Sequence, residues 1–154
     1  MRAFGITKDK GLFYEGGLNA KMSELNAAFG LASLEIYEDN IKKRQYVYRA
    51  YKECLPSGFK LIDLEPKGLT YNYAYAPVLL SEYLPTEVIS YLNENNITAR
   101  RYFHPSLDKF YHWPYGQSDY PNSNYAAEKI ICLPMYPELT IEEVEKICTI
   151  LKKF

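Results

Sequence analysis

Gly16-Gly17-Leu18-Asn19-Ala20-Lys21-Met22-Ser23-Glu24-Leu25-Asn26-Ala27-Ala28-Phe29-Gly30-Leu31-Ala32-Ser33-Leu34 reads as a turn running into a helix. The paired glycines predict the turn. Beyond them Met22, Leu25, Phe29, Ala32 and Ile36 recur at steps of three and four, which predicts a helix over 22–37 with one apolar stripe. Ala27, Ala28, Gly30 and Ser33 keep its flanks thin and suit close packing. Asn19, Lys21 and Ser23 stand near the helix entrance, where unpaired backbone N–H groups and the helix dipole favour an anion. Two readings are open here: Asn19 or Ser23 simply caps the helix, or the three residues serve an anion site.

The chain has 154 residues, 47% of them hydrophobic, enough for one core and without the composition of a disordered segment. A formal charge of −1 gives no general attraction to nucleic acid or to an anionic membrane, so an anion site must be local. No run has the length of a membrane span, and Met1-Arg2-Ala3-Phe4-Gly5 does not open like a secretory signal, so a cytoplasmic location is expected. Cys54, Cys132 and Cys148 are odd in number and far apart, with only His104 and His112 to assist. Reduced thiols and no metal site are expected. Sixteen tyrosines suit an interface or a polar cleft.

Working outward, Met1 to Phe13 is too short and glycine-broken to support itself. Glu38-Asp39-Asn40 predicts a break, then a helix over 41–55 ended by Pro56-Ser57-Gly58, with Lys42-Lys43-Arg44 on its polar face. Phe59–Leu64 predicts an edge strand. Tyr71–Leu80 predicts the clearest strand, with three tyrosines on one face and Pro77 marking an edge or a bulge. A helix over 86–96 follows, then a strand, Ile97-Thr98-Ala99-Arg100-Arg101-Tyr102-Phe103-His104-Pro105, leaving for a loop. Its arginines suit a pyrophosphate, and its aromatics a base or a sugar, unless they are simply solvated at an exposed strand end. Residues 107–125 predict a long aromatic loop that is either a lid or a surface strap. Asn124–Lys129 predicts a short helix, Ile130–Leu133 a buried strand, and Thr140 with Glu143 the capping box of a last helix.

Gly17-Leu18-Asn19-Ala20-Lys21-Met22-Ser23-Glu24-Leu25, Ile97 to Pro105 and Cys132-Leu133-Pro134-Met135-Tyr136-Pro137-Glu138-Leu139-Thr140 stand in that order. They resemble landmarks of the DegT/DnrJ/EryC1/StrS family of pyridoxal-phosphate-dependent sugar aminotransferases. The resemblance covers essentially the whole chain and the C-terminal part of such an enzyme. It implies an α+β fold, long N-terminal helices followed by a small antiparallel sheet packed with helices. It also implies a remnant of the large domain with the interface helix over 1–38, a connector helix over 39–57 and the small domain over 58–154. The start of the chain then falls after the lysine that bonds the cofactor, so no lysine here is catalytic and the chain alone is inactive.

By the same resemblance Asn19 reaches the cofactor phosphate of a neighbouring subunit, and Lys21 stands where many members have arginine, a point charge in place of a fork. Arg100, Arg101, Tyr102 and His104 match the segment near the nucleotide-sugar cleft, with His104 where many relatives have tyrosine. The reaction implied moves an amino group from glutamate, by way of the pyridoxamine form, onto a nucleotide-linked keto-deoxysugar of the dTDP-4-keto-6-deoxyglucose type, in a homodimer joined through the helix at 22–37.

Apart from the resemblance, the sequence holds no self-sufficient catalytic set. Two other classes fit its residues: a dimerising structural or regulatory partner, and a single-stranded nucleic-acid binder that stacks bases on aromatic side chains. The near-neutral charge argues against the second.

Overall fold

The structure, a computed structural model, describes residues 15–63, 65, 68–110 and 120–154. The chain divides into two compact units, Met1–Glu38 and Asp39–Phe154.

In the first unit Gly16 turns the chain with φ +76°, a conformation open to glycine at little cost. Ser23 then caps α1 (Glu24–Glu35), its Oγ accepting from the Asn26 N–H at 3.3 Å. The cap reading therefore holds for Ser23, whereas Asn19 and Lys21 lie upstream of the cap. α1 buries none of its residues; Leu25 is 80% exposed and Phe29 76%. Leu31 and Leu34 are exposed as well, so apolar surface extends beyond the predicted stripe.

α1 stops at Ile36 and α2 (Tyr37–Cys54) starts at the next residue. The predicted break at Glu38-Asp39-Asn40 is thus helical. Acidic residues are favoured in a first helical turn, and Asp39 pairs with Lys43 one turn on at 3.4 Å.

In the second unit β1 (Phe59–Leu61), β2 (Ala76–Leu80) and β3 (Ile130–Leu133) form an antiparallel sheet in the order β1-β2-β3. α3 (Pro85–Glu94), α4 (Pro121–Lys129) and α5 (Ile141–Leu151) complete the elements. The core joins Val47 and Tyr51 of α2, Val78 and Leu80 of β2, Val88 and Leu92 of α3, Ile131 of β3 and Val144, Ile147 and Leu151 of α5. The capping box of α5 is present as read: Thr140 accepts from the Glu143 N–H at 3.2 Å, and Glu143 from the Thr140 N–H at 2.9 Å.

Pro77 lies in the central strand, not at an edge, and the sheet accommodates it by register. Pro77 faces Cys132 across β3, and the Cys132 N–H and C=O bond away from it, to Arg100. On the other side the Pro77 carbonyl accepts from the Ile62 N–H at 2.9 Å. The Ile62 carbonyl, which a donor at position 77 would have served, instead accepts from the Tyr48 hydroxyl at 2.8 Å. Tyr48 is fully buried. Tyr48→Phe should therefore leave that carbonyl unsatisfied and lower stability by about 1–3 kcal/mol, read from urea denaturation.

Of the strand predicted from Tyr71, only Ala76–Leu80 is paired in the sheet, and Tyr73 departs from strand geometry with φ +50°. Its three tyrosines divide between two clusters: Tyr71 meets Tyr73 edge-on at 5.5 Å, and Tyr75 packs elsewhere. Tyr73 packs on Tyr48 at 5.5 Å, and Tyr75 on Tyr102 at 5.7 Å. The Tyr73 hydroxyl donates to Glu65 at 2.9 Å, and Gln45 and Arg49 also donate to that carboxylate. The bond from Tyr73, ahead of those from Arg49 and Gln45, holds the Glu65 carboxyl below its usual range. A lowered folded-state value stabilises fully above the ordinary value of about 4.3, and that contribution is lost as pH falls through the lowered value. Glu65→Gln should flatten the acid limb of a stability profile taken between roughly pH 5 and pH 2.

Cys54 and Cys148 form a disulfide between α2 and α5, with Cα atoms 5.9 Å apart. This corrects the expectation of reduced thiols throughout: a sequence separation of 94 residues gives no sign that the helices meet. Cys132 is a free, buried thiol whose pKa burial pushes up to about 11.

Candidate functional site

The segment after α3 is positioned from both ends. Asn96, at φ +60°, closes α3, and the Ile97 N–H returns to the Leu92 carbonyl at 2.9 Å. Arg100 then bridges to Cys132 of β3 through paired backbone bonds of 3.0 and 2.7 Å. The predicted strand is reduced to this one bridge. Past the loop, Ser106 is buried and its hydroxyl donates to Asp108 at 2.5 Å. The peptide bonds Tyr102-Phe103 and His104-Pro105 are cis.

The four residues read as one cluster divide between two grooves. Arg100 and Tyr102 line a groove of about 690 Å³ with Tyr75, Thr98, Tyr136 and Lys146. Arg100 Nη1 donates to the Tyr102 hydroxyl at 2.5 Å, an interaction that raises the already high guanidinium pKa. The Tyr102 ring stacks on Phe103 at 5.3 Å and meets Tyr75 edge-on. Arg101 and His104 line a second groove, of about 590 Å³, with Phe103, Leu107 and Phe110; Tyr102 borders both. Arg101 Nη2 and His104 Nε2 each lie 2.9 Å from the carboxylate of Glu128 on α4. The hydrogen bond from His104 is the foremost cause that keeps the Glu128 carboxyl below its usual range.

Asn19 and Lys21 are exposed and belong to the first unit, whereas Arg100, Arg101, Tyr102 and His104 belong to the second. An exposed amide and an exposed ammonium suit a phosphate group, so these residues fit the anionic end of a phosphorylated cofactor. Sequence reasoning missed Glu128, Tyr75 and Lys146. Nothing in their spacing marks them, since Glu128 is 24 residues from His104 and only the fold brings the two together. His112 and the Trp113-Pro114-Tyr115-Gly116 stretch of the aromatic loop lie outside the described residues. Among the described residues no group of three or more His, Cys, Asp and Glu could hold a metal ion, and no helix is long and apolar enough to cross a membrane.

The fold matches solved pyridoxal-phosphate-dependent aminotransferases. The enzyme DesI, solved with its TDP-sugar product, superposes with a TM-score of 0.85 at 26% identity, over 99% of this chain and 41% of DesI. Spr1654 from Streptococcus pneumoniae, solved in a PLP form, shares the fold with a TM-score of 0.80 at 18% identity, over 98% of this chain and 41% of its own. The model of the DegT/DnrJ/EryC1/StrS aminotransferase family matches residues 1–152, and the chain belongs to that family. It is 34% identical, over 98% of its length, to the dTDP-4-amino-4,6-dideoxy-D-glucose transaminase of Escherichia coli, and spans 43% of that relative.

Proposed function

We propose that this chain supplies the small domain and interface helix of a nucleotide-sugar aminotransferase that transfers an amino group from glutamate to a dTDP-linked 4-keto-6-deoxysugar. The observation that carries this reading is the groove beside Arg100. A guanidinium fixed by a backbone bridge and by Tyr102 lies with the Lys146 ammonium and two further tyrosines along one cleft. Cations there attract a diphosphate, and aromatic rings offer faces to a base or a sugar. The 34% identity to a dTDP-amino-sugar transaminase favours the dTDP-linked substrate.

Pyridoxal phosphate supplies the electron sink that amino transfer requires. On this chain the Asn19 amide would donate to its phosphate and Lys21 would add a positive point charge; the lysine that bonds the cofactor would come from the part of the family's length that this chain does not span. The exposed face of α1 is the surface through which two copies meet, consistent with its uncovered Leu25 and Phe29.

The test is the assembled enzyme, formed with a polypeptide supplying the remaining part of the family's length. With glutamate it should aminate dTDP-4-keto-6-deoxyglucose, and Arg100→Ala should raise KM about tenfold, the scale of one lost charge-assisted hydrogen bond, with little change in kcat. Equal or better kcat/KM with the GDP-linked keto sugar would overturn the substrate assignment.

A further inference from the structure

Past the bridge at Arg100 the backbone of 101–104 has no strand partner among the described residues, yet Arg100 faces one groove and Arg101 and His104 the other, with Tyr102 at the border of both. One residue of α4 accounts for the sorting. Glu128 Oε2 accepts from Arg101 Nη2 at 2.9 Å and Oε1 lies 2.9 Å from His104 Nε2, while Arg101 Nη2 also reaches the Glu128 backbone carbonyl at 3.4 Å. A carboxylate on a residue 63% exposed thus holds two side chains that are only 24% and 29% exposed. The neighbouring Ala127 is buried at 6% exposure, so the carboxylate projects from an anchored turn of α4. With Arg101 and His104 drawn to α4, Arg100 and Tyr102 remain for the other groove, locked to each other and to Tyr75.

We propose that Glu128 is a positioning residue: by holding Arg101 and His104 it turns Arg100 and Tyr102 into their groove and so sets the affinity of that groove for a nucleoside diphosphate, without touching the ligand. The geometric half of this proposal stands on the contacts above. The affinity half rests on the nucleotide-sugar reading of the groove.

The experiment compares the 154-residue chain with its Glu128→Gln variant, isosteric but uncharged, by two readouts. NMR ring-to-ring contacts between Tyr75 and Tyr102 report the pose, and titration with dTDP reports affinity. Glu128→Gln should lose the ring contacts and weaken dTDP about tenfold, Arg100→Ala should weaken it by the same factor, and the double variant should weaken it no further, because both changes remove one interaction. Should Glu128→Gln unfold α4, Arg101→Gln combined with His104→Phe removes both contacts from the other side and should give the same two effects. Ring contacts preserved in both variants would overturn the proposal, as would effects of Glu128→Gln and Arg100→Ala on dTDP affinity that simply add. If Arg100→Ala leaves dTDP affinity unchanged while Glu128→Gln still loses the ring contacts, the nucleotide reading fails and the positioning role stands.

Discussion

Replacing Asn19 by aspartate is expected to weaken retention of pyridoxal phosphate by the assembled enzyme about 100-fold. The amide offers an N–H donor to an anion; the carboxylate offers only acceptors and a charge of the same sign. Losing a hydrogen bond to a charged group costs about 1.5–3 kcal/mol, and repulsion adds to it. Asn19 is exposed and lies ahead of the Ser23 cap, so the substitution should leave α1 intact and helicity unchanged. Equilibrium dialysis of the cofactor is the measurement. Retention within twofold of the unaltered enzyme would remove Asn19 from the phosphate site.

The largest effect on stability is expected at Leu80. This residue ends the central strand, is fully buried, and belongs to the core that joins α2, the sheet, α3 and α5. Leu80→Ala removes transfer free energy and leaves a cavity whose walls belong to several elements, so collapse cannot relieve it cheaply. A loss of about 2–5 kcal/mol is expected, a large share of the 5–15 kcal/mol typical of a domain. Urea denaturation monitored by far-UV circular dichroism reads it. A change below about 1 kcal/mol would mean that the packing around β2 is looser than the full burial of Leu80 implies.

Elements whose signal is local were legible in the sequence. The capping box at Thr140 and Glu143, the stop at Asn95-Asn96 and the buried run Ile130–Leu133 each depend on residues within a few positions of one another. Local pattern misleads where tertiary partners decide. Pro77 argues locally for an edge, yet the central strand admits it because the Tyr48 hydroxyl satisfies the Ile62 carbonyl. Tyr71, Tyr73 and Tyr75 alternate as a strand would, but the φ of Tyr73 turns its ring to Tyr48 and its hydroxyl to Glu65. Glu38-Asp39-Asn40 breaks the apolar pattern and offers a cap, but acidic residues are also favoured inside a first helical turn, which is where Glu38 and Asp39 stand in α2.

The candidate site followed the same division. Arg100 through His104 stand out in the sequence as a dense polar and aromatic run, but Glu128, which separates its members, is visible only once α4 lies beside the loop. The disulfide between Cys54 and Cys148 is another long-range pairing that no local pattern announces.

The most direct test concerns the claim that this chain carries one side of a cofactor pocket that other residues complete. The measurement is the visible absorbance of pyridoxal phosphate after gel filtration, for the chain alone and for the chain mixed with a polypeptide supplying the rest of the family's length. Absorbance should persist only in the mixture, together with amino transfer from glutamate. Cofactor retained with full transamination by the chain alone, or a stable complex that holds none, would contradict it.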